Sequence, residues 1–222
     1  AAQLFTTIVL TDETKRASGG VTAFIVEKGT PGFSVGAADF KMGLKGSHTH
    51  ELVFTDCRVP TENVIGGMER VGQGFRTAMK VLDKGRLSMG ACSLGASQKV
   101  LQLCAERLRR KTAAGTLKDD LQADHFALAD MATQIYAARQ MLYHTAWLRD
   151  QGKNVSQQAS MVKLFCTEMA SRIADMAMDI FEEDGCLTEN QIEMFLRDVR
   201  LYRIYEGTSE IQRIIIARSL LK

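Results

Sequence analysis

Proline and long apolar runs are the scarcest features of this sequence. Its 222 residues include two prolines, Pro31 and Pro60, so no proline interrupts a helix after residue 60. No apolar run reaches the roughly 18 residues that a membrane-spanning helix needs. No segment has the pattern of a secretory signal peptide, and the chain enters a strand-like segment within its first few residues, which suggests a truncated start. The sequence thus predicts no membrane span.

Charge of one sign and paired cysteines are also lacking. Lys and Arg number 28 against 26 Asp and Glu, for a net charge of +2, so nothing indicates a nucleic-acid or anionic-membrane surface. The five cysteines are odd in number and form no C-x-x-C pair, which favours a reducing compartment over a disulfide framework. They are Cys57, Cys92, Cys104, Cys166 and Cys186. His48 and His50 alternate on a predicted strand, but without a third ligand at suitable spacing we predict no metal site.

The order of local patterns predicts an α+β fold. Runs rich in β-branched residues, bounded by Gly and Pro turns, predict strands over residues 4–10, 21–26, 33–35 and 51–54. Apolar residues recur at helical spacing after Gly72, and they predict helices over residues 73–111, 119–151, 155–182, 190–202 and 208–221. Antiparallel helices with short links form bundles. We therefore predict a partial antiparallel β-domain followed by an antiparallel four-helix-type bundle, with close helix packing at Gly90 and Gly95.

The segment of residues 203–213 carries the strongest indication of chemistry. Its carboxylate, Glu206, follows an apolar pair and precedes a glycine. Apolar neighbours partly desolvate a carboxylate and poise it as a base, while glycine lets the backbone approach a ligand closely. The helix that starts at Thr208 or Ser209 offers hydroxyls and free amides to an anion or a cofactor edge. The alternative is a turn with an exposed Glu and a hydroxyl that caps the helix.

Four other segments precede this one in a characteristic order. They read K-M-G-L-K-G-S-H-T over residues 41–49, V-F-T-D-C-R-V-P-T-E-N-V-I-G over residues 53–66, L-D-K-G-R over residues 82–86 and R-D-V-R over residues 197–200. Each of the five segments is weak evidence alone. Together, in this order and spacing, they resemble the second half of an acyl-CoA dehydrogenase.

The resemblance implies a division of the chain and an activity. Residues 1–66 would be the tail of the family's middle β-domain, and residues 67–222 its C-terminal helical bundle. A complete member adds an N-terminal helical domain and the first β-strands, which hold much of the flavin ring site. The family oxidises a fatty acyl thioester to its trans-2-enoyl form, with FAD as the hydride acceptor. The implied partners are an acyl-CoA substrate, electron-transfer flavoprotein and further copies in a homodimer or homotetramer. The implied compartment is the bacterial cytoplasm or the mitochondrial matrix.

The same resemblance assigns residues around the thioester. Glu206 matches the catalytic base, and its backbone N–H matches part of the oxyanion site. Some relatives carry the base at the position of Gly85, which has no carboxylate here and leaves space beside the acyl chain. Asp83, Arg86 and Gly207 match substrate-binding positions. Two interpretations of Arg86 stay open, a buried cation that faces Glu206 or a structural ion pair with Asp83.

The residues assigned to the cofactor are Lys111, Gln122, Thr208 and Glu210. Two flavin motifs are altered. Lys111 replaces an Arg that contacts the flavin phosphates across the dimer, and it loses that residue's bidentate geometry, although Arg109 or Arg110 could substitute. Residues 182–185 read E-E-D-G in place of a Gly-Gly-x-Gly turn, and their acids would repel a pyrophosphate.

These alterations keep three functions open. The first is acyl-CoA dehydrogenation with Glu206 as the base. The second is a non-catalytic or half-subunit family member with a degenerate flavin site, which acts in assembly or pairs with a flavin-bearing partner. The third is a flavin-dependent relative that acts on an acyl carrier protein thioester. We expect weak or absent flavin binding by this chain alone.

Overall fold

The computed structural model describes residues 2–117 and 121–221. The chain divides into two compact units, one built from residues up to 41 with residues 45–82, and the other from residues 42–44 with residues 83 onward. The predicted domain division after residue 66 stays a prediction. Within the described residues, none of the helices combines the length and apolar character needed to cross a membrane.

The first unit contains two small antiparallel sheets. β1 (Leu4–Leu10) pairs with β2 (Val21–Glu27), and β3 (Phe33–Ala38) pairs with β4 (His50–Phe54). Their β-branched residues fit a pleated surface with one covered face. The ring of Phe33 lies 5.0 Å from the rings of both Phe5 and Phe54 and joins the two sheets in one small core. The predicted antiparallel β-part is confirmed.

The second unit is a helical bundle centred on its third helix. The helices are α1 (Gly74–Ala113, which begins in the first unit), α2 (Gln122–Asp150), α3 (Ser156–Phe181), α4 (Ile192–Tyr202) and α5 (Ser209–Leu220). α3 packs against α2, α4 and α5, and 13 of its residues are buried. The α+β fold class is confirmed, with helix ends close to those predicted. The predicted start of the second helix, at residues 119 and 120, lies outside the described residues.

Glycine on α1 sets how closely that helix approaches α3. A Cβ built on Gly90 would lie 2.6 Å from Val162 Cγ1, so only glycine fits this contact without a shift. The predicted close packing at Gly90 is confirmed. The same prediction for Gly95 is wrong, because Gly95 is exposed and nothing lies within 4 Å of its Cβ position.

Two of the five sequence segments form one structural element in the second unit. The backbone N–H of Leu44 donates to Asp198 Oδ1 at 2.6 Å, and Arg197 Nη1 donates to the Met42 carbonyl at 2.7 Å. A Cβ on Gly43 would overlap the carbonyl of Arg197. The R-D pair in the middle of α4 therefore holds a loop that lies 154 residues earlier in the chain.

We expect Gly43→Ala to lower the free energy of unfolding by about 1–3 kcal/mol, because the new methyl group meets backbone that cannot yield. Gly46→Ala is the matched control, since nothing lies within 4 Å of its Cβ position. Chemical denaturation of the two variants measures the difference. Equal stabilities would contradict the proposed close contact.

Candidate active site

Glu206 lies in the connection between α4 and α5, in a backbone conformation that residues other than glycine rarely adopt. Its φ is +56°, and that of Gly207 is +88°. A strained residue of this kind persists only where its surroundings hold it, and such residues cluster at functional sites. Among the described residues, no hydrogen bond uses the Glu206 backbone N–H, so this donor is free for a ligand.

The buried amide of Gln212 holds this turn from the inside. Gln212 Nε2 donates to the Glu206 carbonyl at 3.2 Å and to the Gly207 carbonyl at 2.9 Å. A Cβ on residue 207 would lie 2.7 Å from the same nitrogen, so Gly207 is needed for its φ and for its small size. The sequence analysis did not identify Gln212; its only signal is a polar residue on the first turn of a helix after the candidate base.

A second clamp attaches the turn to α3. Glu168 Oε1 accepts a hydrogen bond from Ser209 Oγ at 2.6 Å and one from Arg203 Nε at 3.0 Å. Burial opposes ionisation of Glu168, but the bonds from Ser209 and Arg203 outweigh it and lower the pKa of this carboxyl. Residues on both sides of Glu206 are therefore attached to one partly buried carboxylate, that of Glu168.

The Glu206 carboxylate is directed into the protein and lies against α1. Its Oε2 is buried and has no hydrogen-bond partner among the described residues. Any Cβ at Gly85 would overlap the carboxylate, so Glu206 itself fills the space expected beside the acyl chain. The apolar pair was expected to provide the dry surroundings, but Ile204 and Tyr205 are 55% and 40% exposed. That expectation is wrong, and α1 covers the carboxylate instead.

Arg86 is buried at 4% exposure and forms an ion pair with Asp83. The distance from Arg86 Nη1 to Asp83 Oδ1 is 2.6 Å, and Ser156 Oγ donates to the same oxygen at 3.1 Å. The ion-pair interpretation of Arg86 is thus confirmed. Its Nε has no partner among the described residues, so the guanidinium keeps one unused donor. A role of Asp83 and Arg86 in substrate binding stays a prediction.

Lys163 of α3 is a third charged group at this site, and the sequence analysis missed it. It is fully buried, and its Nζ has no partner in the described part of the chain. Burial lowers the pKa of Lys163 to about 8, with Glu168 and Glu206 opposing the shift and Arg86 adding to it. In the sequence Lys163 is one lysine in an amphipathic helix, and nothing marks it as buried.

Lys111, which was assigned to the flavin phosphates, and Arg107, one turn earlier on α1, are engaged in ion pairs. Lys111 Nζ lies 3.2 Å from Glu182 Oε1 and 3.8 Å from Asp124 Oδ2, and Arg107 Nη1 lies 2.7 Å from Asp184 Oδ2. The acids of the altered turn therefore neutralise the cations that would meet a pyrophosphate. This part of the chain does not fit the phosphate groups of FAD.

The altered turn is also strained where the family has glycine. Glu182 has a φ of +54° and a ψ of −137°, a combination that is almost restricted to glycine. Arg109 and Arg110, the possible substitutes for Lys111, are exposed. Arg110 lines a groove of about 330 Å³ together with Arg107, Lys111 and Glu189.

The other residues assigned to the cofactor lie at helix starts. Thr208 caps α5, and its Oγ1 accepts from Ile211 N at 3.4 Å, as the capping interpretation requires. Glu210 is exposed on the first turn of α5, and Gln122 is exposed at the start of α2. The start of α5 fits a polar cofactor edge, unlike the paired cations near Lys111. The described residues contain no cluster of three metal-ligating side chains.

Comparisons with known proteins agree with the resemblance. The family model described as the acyl-CoA dehydrogenase C-terminal domain matches residues 72–221. An acyl-CoA dehydrogenase of Bacillus subtilis is 40% identical over 221 residues, which are 100% of this chain and 57% of that protein. A subunit of the caffeyl-CoA reductase–Etf complex of Acetobacterium woodii is 38% identical over 207 residues, 93% of this chain and 54% of that protein.

A solved structure has the same fold. Butyryl-CoA dehydrogenase from Megasphaera elsdenii matches with a TM-score of 0.93 and 37% identity, over 100% of this chain and 57% of its own. The chain thus spans a little over half the length of the relatives it matches.

We expect Gly85→Ala to keep the fold but to slow proton transfer by about 100-fold, because a methyl group displaces the Glu206 carboxylate from its place against α1. Alanine itself favours the helix by about 0.5–1 kcal/mol relative to glycine. Exchange of the α-proton of an acyl thioester measures the first effect, and thermal unfolding measures the second.

Gly95→Ala is the control for this variant, because Gly95 lies on the same helix with open space around it. Exchange should stay unchanged in that variant. An unchanged exchange rate in Gly85→Ala would show that proton transfer does not require the Glu206 carboxylate to lie against α1.

Proposed function

Because the chain belongs to the acyl-CoA dehydrogenase family, we propose that it forms the base-bearing half of an enzyme that dehydrogenates the α and β carbons of a fatty acyl thioester. One observation carries the proposal. Glu206 presents a buried carboxylate oxygen that has no hydrogen-bond partner in the described part of the chain, on a strained turn that two clamps hold. Buried polar atoms are usually hydrogen-bonded, so an unpaired one on a strained residue indicates a group kept ready for a ligand.

The reaction requires a base and a site for negative charge. Glu206 takes the α-proton, while its free backbone N–H donates to the thioester carbonyl, where charge develops. The two groups belong to one residue, so the bonds from Gln212 to the turn keep both in position. When bound, FAD supplies the acceptor for the β-hydride. Acyl-CoA is the proposed substrate, and Arg86 and Gly207 lie beside the carboxylate on α1 and in the turn.

The proposed protein partners follow from the family. Electron-transfer flavoprotein is the proposed electron carrier, in agreement with the relative that is named as a subunit of an Etf complex. A homodimer or homotetramer agrees with large aromatic side chains that α2 leaves exposed. They are Phe126, Tyr136, Tyr143 and Trp147. Large apolar side chains exposed along one helix are typical of subunit contacts.

A second candidate function is a half-subunit without its own flavin, which pairs with a flavin-bearing partner. The observation that favours it is the pairing of Lys111 and Arg107 with Glu182 and Asp184. Those cations are not free to meet a pyrophosphate from this or another subunit.

We expect Glu206→Gln to slow α-proton exchange by at least about 100-fold while acyl-CoA binding persists, because glutamine keeps the shape of the side chain but cannot accept the proton. Exchange followed by NMR in deuterated buffer and binding followed by calorimetry measure the two effects. Glu189→Gln, which alters an exposed carboxylate outside this turn, is the control. Unchanged exchange in Glu206→Gln would exclude Glu206 as the base.

We expect little flavin per chain after purification, and about tenfold tighter FAD binding in a variant that combines Glu182→Gly, Glu183→Gly and Asp184→Asn. The variant removes the acids that neutralise Lys111 and Arg107 and relieves the strain at Glu182. Flavin absorbance and FAD titration are the measurements. Glu189→Gln changes another exposed acid at the same groove and is the control. Near-stoichiometric flavin in the unaltered protein would contradict the expectation.

A further inference from the structure

Three buried charged groups, on α1, on α3 and in the strained turn, have fewer hydrogen bonds than their charges require. Lys163 on α3 is fully buried, Arg86 on α1 is almost fully buried, and Glu206 Oε2 is buried against Gly85 of α1. Lys163 Nζ, Arg86 Nε and Glu206 Oε2 each have no partner among the described residues. Val162, the residue before Lys163, packs on Gly90, so α1 and α3 are in close contact beside Lys163.

The pairing of the surrounding charges selects Lys163 and Glu206 as partners. Asp83 neutralises Arg86, and Arg203 neutralises Glu168. Glu210, which reaches Lys163 electrostatically from α5, is exposed and lies 3.7 Å from Arg213. Lys163 and Glu206 are therefore the two buried charges of opposite sign that remain uncompensated in this cluster.

We propose that Lys163 is a positioning residue for proton transfer, whose buried ammonium holds the Glu206 carboxylate in its orientation toward the substrate. This inference rests on the proposed function of Glu206. An unpaired buried cation destabilises a folded protein, so packing offers no reason for lysine at this position. An interaction between the Lys163 ammonium and the Glu206 carboxylate does offer a reason for lysine here.

The charge of Lys163 depends on pH in an accessible range. Burial lowers the pKa of Lys163 to about 8, so the ammonium is present at pH 7 and is lost above about pH 8. The pKa of Lys163 in the folded protein lies below the ordinary lysine value of 10.5, so the unfolded chain binds more protons between these two values. Folding stability therefore rises with pH across this window, and the destabilising effect of the buried charge is fully present below about pH 8.

The test is Lys163→Met in the purified protein, with α-proton exchange and thermal unfolding measured as functions of pH. In the unaltered protein exchange should decline above about pH 8, where Lys163 loses its proton. In Lys163→Met we expect exchange at pH 7 to fall about tenfold, because the carboxylate has lost the cation that orients it, and the decline above pH 8 to be absent. The melting temperature at pH 7 should rise, and this gain should shrink above pH 8. If Lys163→Met does not fold, the same measurements are made on Lys163→Gln.

Ser160→Ala is the matched control, because Ser160 is fully buried on the same helix and carries no charge. It should leave the pH profile unchanged. An unchanged exchange rate at pH 7 and an unchanged decline above pH 8 in Lys163→Met would overturn the proposal, as would a lower melting temperature with an unaltered profile. Loss of exchange in Glu206→Gln together with unchanged exchange in Lys163→Met would reject only the role of Lys163. Intact exchange in Glu206→Gln would reject the proposed function itself.

Discussion

Two hydrogen bonds from one buried amide determine where the candidate base lies. Gln212 Nε2 holds the carbonyls of Glu206 and Gly207, and without it a non-glycine residue at a φ of +56° would relax toward an ordinary conformation. The direction of the carboxylate and the free backbone N–H both depend on that conformation. The attachment of Ser209 and Arg203 to Glu168 adds a second constraint from α3. The chemistry of the site therefore depends on a backbone shape that packing imposes.

Two charged clusters in the second unit have opposite characters, although they use the same residue types. Around Glu206, buried charges remain with unused donors and acceptors. At the altered turn, Lys111 and Arg107 each have an acidic partner. A buried polar group without a hydrogen-bond partner lowers the stability of the fold, but it is available to bind a ligand. A cation near the surface that already has an acidic partner attracts a further anion only weakly. The clusters accordingly support proton transfer at the first location and poor phosphate binding at the second.

Much of the fold and part of the site followed from local patterns. The five helices and the antiparallel strands were predicted because hydrophobic periodicity reports a structure that is repeated along the chain. Glu206 and Gly207 were identified because they form one continuous segment. Lys163, Gln212 and Glu168 were missed, since each is an ordinary polar residue in an amphipathic helix. Only burial makes such residues unusual, and burial depends on what packs against them.

The sequence by itself determined the elements, their order, the family and the identity of the candidate base, because each of these is encoded in short segments. Tertiary structure decided how the segments act on one another. It placed Glu206 against Gly85, 121 positions earlier in the numbering, and it enclosed Lys163 between charges from three separate helices and a turn. Electrostatic interactions act through space and strengthen as water is excluded, so the charge state of this site is a property of the folded chain.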